Sequence, residues 1–262
     1  MKIAFSKYQG TGNDFVMIDN RQSVFPAQNT GLVKKLCDRR FGIGADGLIL
    51  LDYKPGGMLR MTYFNSDGNL SSMCGNGGRC FAAFAKRCGI PGEEISFEAA
   101  DGIHTALFTG TSPVTVKMTM GDVTTVETGS DFMFLDTGSP HVVKFVSEVN
   151  KLDVKTEGRV IRNSARFRVQ GTNVNFVEPA EGYLFVRTYE RGVEDETWSC
   201  GTGVTASVLA AAASKKLEGK QESAVQTPGG KLKVYFSRNG NGFREIWLEG
   251  EASFVFEGEV EI

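Results

Sequence analysis

The chain repeats itself. At a constant offset of 126 residues, Thr11-Gly12 falls on Thr137-Gly138, Arg40-Phe41 on Arg166-Phe167 and Thr62-Tyr63 on Thr188-Tyr189. The same offset carries Cys74-Gly75 onto Cys200-Gly201 and Gly77 onto Gly203. Elsewhere identity is near background, so what recurs is the register of separated turns, which marks two structurally equivalent halves. Each half holds one segment that is apolar on nearly every face, Arg79–Cys88 in the first and Val204–Ser214 in the second. A helix of that kind has to be buried. Strand-like stretches surround it, among them Leu59–Phe64, Ile95–Ala99, His104–Phe108 and Val114–Met120. The expectation is an α+β fold of two pseudo-symmetric β-rich domains, each wrapped around a buried central helix, facing each other about a pseudo-two-fold axis. The first domain is expected over residues 1–120, joined by a C-terminal strand at 252–262, and the second over residues 121–251.

The two cysteines stand at the starts of those helices, in Cys74-Gly75-Asn76-Gly77-Gly78 and Cys200-Gly201-Thr202-Gly203. A thiol just ahead of a helix N-terminus meets unpaired backbone N–H groups and the positive end of the macrodipole, which lower its pKa. The glycines let the backbone of the same turn approach an anion closely. Two such sites, equivalently placed, suggest a reaction that needs two acid–base groups. A small chiral carboxylate held by the backbones of Gly75-Asn76 and Gly201-Thr202 could lose its α-proton to one thiolate and regain a proton from the other thiol on the opposite face. A single base returns the proton to the face it came from; two give inversion. A redox-switch disulfide between the two thiols is the competing reading from a different functional class. A purely structural role leaves the recurrence of the two turns in register without a cause.

Composition narrows the partners. A net charge of −2 with mixed signs gives no footprint for nucleic acid. The longest apolar run, Val204–Ala213, is about half the ~20 residues that span a bilayer. Met1–Gly10 lacks the apolar core of a signal peptide, so the expected location is cytoplasmic, with no membrane partner. Five cysteines without a C-x-x-C pair, and only two histidines, argue against a disulfide framework and a metal site. Cys37, Cys80 and Cys88 read as small buried hydrophobes. Along the first half, Asn29–Phe41 reads as an amphipathic helix capped by Asn29 or Thr30, and Leu48–Leu51 as a buried strand. The glycine-rich Gly42–Gly47 turn lacks G-K-[ST] and follows a helix, which sets nucleotide binding aside. The helix behind Cys74 is expected to stop at Gly89, ahead of Pro91.

Gly12-Asn13-Asp14-Phe15, Phe64-Asn65-Ser66-Asp67-Gly68, Cys74-Gly75-Asn76-Gly77-Gly78-Arg79-Cys80, Tyr189-Glu190-Arg191-Gly192 and Cys200-Gly201-Thr202-Gly203 together resemble the diaminopimelate epimerase family over nearly the whole chain. The resemblance implies that family's two-domain fold, a homodimer, and cofactor-independent interconversion of LL- and meso-2,6-diaminopimelate on the route to lysine and peptidoglycan precursors. It makes Cys74 and Cys200 the acid–base pair. It assigns the reacting carboxylate to Gly75, Asn76, Gly201 and Thr202, and the distal end of the substrate to Asn13, Asn65, Asn173 and Arg191. Glu190 becomes a substrate ligand and, with His141, a tuner of thiol pKa. Proline or hydroxyproline racemases of the same fold are the alternative within enzymes; Arg191, a planar fork for a second carboxylate, favours diaminopimelate. Three positions depart from the family pattern. Gly47 stands where many members have a glutamine, and Ser139 replaces the asparagine of Gly-Asn-Pro-His. One extra residue, within a stretch that includes Trp198, separates Arg191 from Cys200.

Overall fold

A computed structural model describes residues 2–217 and 219–262. The chain forms two compact units, one running up to Met118 and resuming over Gly250–Ile262, the other spanning Thr119–Glu249. In the first unit the order is β1 (Lys2–Gly10), β2 (Asn13–Asp19), α1 (Thr30–Cys37), β3 (Gly47–Tyr53), β4 (Leu59–Asn65), α2 (Gly75–Arg87), β5 (Glu94–Ala99), β6 (Gly102–Thr111) and β7 (Val114–Thr119). Neighbouring strands alternate in sense: β1–β2 antiparallel, β2–β3 parallel, β3–β4 antiparallel, β4–β5 parallel, then β5–β6 and β6–β7 antiparallel. Leu48–Leu51 is an unbroken apolar run because β3 is covered on both faces. Leu48 and Leu50 join Val33, Leu36 and Cys37 of α1 in one cluster. On the other face, Ile49 packs against Gly77 of α2, its Cδ1 only 3.0 Å from where a Cβ would stand.

The first helix is shorter than its apolar pattern implies: α1 ends at Cys37 rather than Phe41. Asn29 caps it as expected, accepting the Leu32 N–H at 3.0 Å. At the other end the Asp38 carboxylate accepts the N–H groups of Arg40 and Phe41, both at 2.8 Å, and so competes with the helical pattern. The chain then doubles back, and Ile43, Gly44 and Ala45 donate to the carbonyls of Leu36 and Cys37. The helix loses one turn and its C-terminal carbonyls stay satisfied.

The second unit contains β8 (Glu127–Thr128), β9 (Met133–Asp136), β10 (Pro140–Phe145), α3 (Val154–Arg162), β11 (Asn173–Ala180), β12 (Tyr183–Glu190), β13 (Asp195–Thr197), α4 (Gly201–Ala213), β14 (Glu222–Thr227), β15 (Gly230–Asn239) and β16 (Gly242–Glu251). Its strands repeat the alternation: β9–β10 antiparallel, β10–β11 parallel, β11–β12 antiparallel, β12–β14 parallel, β14–β15 antiparallel. Adding 126 to the bounds of α2 gives the bounds of α4. Both units are thus β-rich layers around one buried helix, in which Gly75–Ala85 and Gly201–Ala212 are buried without interruption. The last strand, β17 (Ser253–Glu261), pairs antiparallel with β1 from Lys2↔Glu261 to Gln9↔Ser253. Among the described residues no helix is long and apolar enough to cross a membrane.

The two central helices also end alike. After α2, Gly89 takes φ +87°, and the N–H groups of Gly89 and Ile90 return to the carbonyls of Lys86 and Ala85. After α4, the same pair of bonds runs from Lys215 and Lys216 to Ala212 and Ala211, with Lys215 at φ +59°. A side chain at a left-handed position costs about 1 kcal/mol relative to glycine. Lys215→Gly is therefore expected to raise the unfolding free energy by about 1 kcal/mol, read as a higher urea midpoint with unchanged slope.

Candidate active site

Cys74 and Cys200 are the N-caps of α2 and α4, with almost the same backbone: φ −117°, ψ 117° and φ −118°, ψ 112°. This extended conformation ahead of the first turn is what an N-cap requires. It sets each sulfur at the start of the first turn of its helix.

Around Cys74, the Gly77 N–H donates to Sγ at 3.5 Å, and Sγ lies 3.5 Å from Asn13 Oδ1. Asn13 follows a two-residue turn in which Thr11 and Gly12 both have positive φ, +50° and +86°, the geometry that joins twisted antiparallel strands most tightly. Asp46 fixes the orientation of the Asn13 amide. Its carboxylate can only accept, so the Nδ2 end turns to it at 2.6 Å and the carbonyl end turns to the thiol. Asp46 is held in turn by Arg39 at 2.8 Å, and Arg39 also grips Asp14 with both ends of its fork. Burial pushes the Asp14 carboxyl up, but hydrogen bonds from Arg39 and Lys7 outweigh that and bring it down to about 2. The resemblance assigns Asn13 to the distal end of the substrate; in the structure its amide oxygen lies 3.5 Å from Cys74 Sγ.

Asn76 is buried, with Oδ1 accepting from Arg79 Nη2 at 3.0 Å and from Thr11 Oγ1 at 3.3 Å. Asn65 stands exposed at the end of β4, opposite Gly47 in the β3–β4 ladder. No side chain fits at Gly47 as the backbone stands. A Cβ there would lie 2.4 Å from the Phe64 carbonyl oxygen and 2.5 Å from the Tyr63 ring. The ring of Tyr63 occupies the space that a larger residue at 47 would need.

Around Cys200, the Thr202 hydroxyl lies 3.4 Å from Sγ, and His141 Nε2 lies 2.9 Å from the same hydroxyl. Asn175 Nδ2 donates to the Val142 carbonyl and to His141 Nδ1, both at 3.0 Å. Because Nδ1 receives that N–H, the neutral ring carries its proton on Nε2 and donates it to Thr202. Burial, and then the charge of Arg191, depress the His141 pKa to about 3. His141 therefore touches the thiol by way of a hydroxyl and as a neutral ring. Asn173 Nδ2 lies 3.4 Å from His141 Nε2, and its Oδ1 accepts the Arg191 backbone N–H at 2.8 Å. Arg191 is exposed, with Nη1 donating to the Gln170 carbonyl. Glu190, at the end of β12, accepts from Thr197 Oγ1 at 2.9 Å. Ser139 is half-buried, and its carbonyl accepts the Thr137 N–H. Of the other thiols, Cys37 and Cys80 are buried and Cys88 is partly exposed.

The two sites share a brace that was not read from the sequence. Thr11 Oγ1 bonds the Asn76 side chain, and Thr137 Oγ1 donates to the Thr202 carbonyl at 2.9 Å. Both threonines thus hold the second residue after a cysteine. The signal was in the 126-residue register, where Thr11-Gly12 matches Thr137-Gly138.

Two like units, each built on a buried helix N-capped by a cysteine, place the chain in a fold shared with solved structures of low identity. A phenazine biosynthesis protein of the PhzF family from Bacillus anthracis matches with a TM-score of 0.74 at 16% identity, covering all of both chains. A probable proline racemase from Agrobacterium radiobacter matches with a TM-score of 0.70 at 14% identity, over 99% of this chain and 93% of that one. The family follows from sequence. The sequence model for diaminopimelate epimerase matches residues 5–126 and 133–255. The diaminopimelate epimerase of Flavobacterium psychrophilum is 50% identical over 252 residues, covering 96% of this chain and 97% of that protein. The chain belongs to the diaminopimelate epimerase family.

The state of His141 has a measurable sign. With its folded pKa below the unfolded value of about 6.5, the unfolded chain takes up a proton that the folded one refuses. Stability is therefore lost as pH falls below 6.5, by about 2 kcal/mol between pH 7 and 5. Urea unfolding of the wild type at the two pH values is expected to show that loss. In His141→Asn it is expected to disappear, and an equal loss in both proteins would contradict the assignment.

Proposed function

We propose that the protein interconverts LL- and meso-2,6-diaminopimelate, with Cys74 and Cys200 as the thiolate and thiol of a two-base reaction. The observation that carries this reading is the matched pair of N-capping cysteines in a chain of this family. In each direction the Cα–H bond breaks and the proton passes to one thiolate. The electron pair delocalises into the substrate carboxylate. The second S–H then breaks, and its proton goes to the opposite face. No net electron transfer occurs, and the two sulfurs exchange protonation states. The pair shares one proton, because two thiolates at one substrate would repel.

The backbone N–H groups at Gly75-Asn76 and Gly201-Thr202 are the candidates for holding the reacting carboxylate, where they also stabilise charge as it develops. The Thr11–Asn76 and Thr137–Thr202 bonds support that role by keeping both turns rigid. Asn65, Asn173, Glu190 and the fork of Arg191 are proposed to read the rest of the substrate. Asn13, whose amide oxygen lies 3.5 Å from Cys74 Sγ, is proposed to read the substrate with them. The same reading puts the enzyme in the cytoplasm as a homodimer, feeding lysine and cell-wall peptide synthesis.

Each thiol is indispensable in this scheme. Reduced Cys74→Ala and Cys200→Ala are expected to lose about 10²–10⁴-fold in the rate of forming the meso isomer from the LL isomer. Circular dichroism is expected to stay native. Wild-type turnover by either variant would remove that cysteine from the reaction.

A further inference from the structure

Two groups of opposite demand touch the Cys74 sulfur. The Gly77 N–H donates to Sγ at 3.5 Å, and Asn13 Oδ1 accepts the S–H at 3.5 Å. A donor favours the thiolate, and an acceptor favours the thiol. An asparagine amide has one end of each kind, so what Cys74 meets at Asn13 depends on how that amide is turned.

Asp46 settles the turn. Its Oδ2 accepts from Asn13 Nδ2 at 2.6 Å and from the Asp14 N–H at 3.2 Å, while its Oδ1 accepts from Arg39 Nη2 at 2.8 Å. The residue that carries this carboxylate is itself pinned through its backbone. The Asp46 N–H donates to the carbonyl and to the carboxylate of Asp14, both at 3.0 Å, and the Asp46 carbonyl accepts the Ser66 N–H at 3.0 Å. An Asn13 amide turned the other way would set its oxygen against the carboxylate, two acceptors with no proton between them, and would forfeit a charge-assisted bond. The carbonyl end is therefore held toward the sulfur. Its oxygen has a second lone pair, so holding the thiol leaves Asn13 able to meet the substrate as well.

The repeat shows that this device is not part of the duplicated frame. At the offset of 126 residues, Asn13 and Asp46 fall on Ser139 and Thr172. Thr172 Oγ1 donates to the carbonyls of Pro140 and Asn173, at 3.1 and 3.0 Å. Two hydroxyls thus stand in the second unit where the first has an amide and a carboxylate.

We propose that Asp46 is a positioning residue for Cys74: by locking the Asn13 amide with its carbonyl toward the sulfur, it favours the thiol form of Cys74 against the pull of the helix N-terminus. The part this plays in catalysis rests on the two-thiol reading above.

Other titratable groups surround the same thiol. On α2 itself, Arg79 donates to the Gly75 carbonyl and to Asn76 Oδ1, and burial pushes the Cys80 thiol up to about 12. On β1 and β2, Lys7 is paired with Asp14, and Tyr8 packs its ring on Phe84 and Phe254. On β4, Tyr63 meets the Phe15 ring edge-on. Lys2, Asp19, Asp52 and Arg60 stand at the opposite ends of their strands, and Lys86 and Arg87 at the opposite end of α2. All of these are the same in every variant below and shift each midpoint alike. Arg39 alone loses a partner when Asp46 is removed, and it keeps both bonds to Asp14.

The test is the pH profile of iodoacetamide alkylation at Cys74, read by mass spectrometry of its peptide in reduced protein. Asp46→Ala frees the amide to turn its Nδ2 end to a thiolate. It is expected to lower the Cys74 midpoint by about half a unit to one unit, three- to tenfold in ionisation. Asn13→Ala removes the acceptor and is expected to lower the midpoint too, and adding Asp46→Ala to it is expected to change little more. A midpoint unmoved in Asp46→Ala overturns the proposal. So does one that falls as far when Asp46→Ala is added to Asn13→Ala, because Asp46 would then act by its own charge and not through the amide. If Asp46→Ala does not fold, the sign of the Asn13→Ala shift decides. A lower midpoint means that the amide accepts from the thiol, as proposed; an unchanged or higher one refutes it. Alkylation reads the thiol whether or not the protein turns over, so epimerisation of diaminopimelate by the wild type reports separately on the two-thiol reading. Shifted midpoints without turnover leave the Asp46 assignment standing and remove the function.

Discussion

Everything in the site depends on the N-terminus of a buried helix. α2 and α4 are covered on all sides for most of their length, so the first-turn N–H groups, which a helix cannot pair within itself, point where solvent does little to satisfy them. A cysteine in the N-cap position puts a polarisable, ionisable atom beside those groups, and small residues behind it leave the backbone open to a carboxylate. In the proposed reaction the helix supplies the field, the cysteine the proton carrier, and the glycines the access. The strands exist in this sense to hold two such helix ends still.

Much of that arrangement is legible in the residues. The fixed offset gave two equivalent halves, and the all-round apolar runs gave two buried helices. The Cys-Gly-x-Gly turns located both caps. What the residues hid was long-range pairing. Thr11 and Thr137 looked like turn residues because their partners, Asn76 and Thr202, lie 65 positions away. Asp46 looked like part of a glycine-rich turn, and only folding shows that it orients the Asn13 amide toward Cys74. Arg79 was read within an apolar helix face, since sequence periodicity cannot tell a buried cation from an exposed one at a face boundary. The first helix was read one turn too long because Leu32, Val33, Leu36 and Cys37 set its period but not its end. Asp38, a side chain that competes for backbone N–H groups, sets the end.

The two halves are alike in fold and differ in the side chains around each thiol. Arg79 and Thr205 occupy one repeat position, Asn76 and Thr202 another, and His141 has a neutral, tautomer-fixed ring on the Thr202 side. An exchange of one proton between two thiols needs both sulfurs within reach of ionisation, and it needs one of them charged at rest. For the first need the proposed reaction would use the two matched N-capping cysteines.

The central claim is inversion by two bases, and the most direct measurement follows the α-proton. Reduced protein is given LL-diaminopimelate in D₂O, and the early time course is followed by NMR. The account predicts that the meso product carries deuterium at the inverted centre while recovered substrate still carries hydrogen. A product that retains the original proton, or substrate that exchanges without inverting, would contradict it.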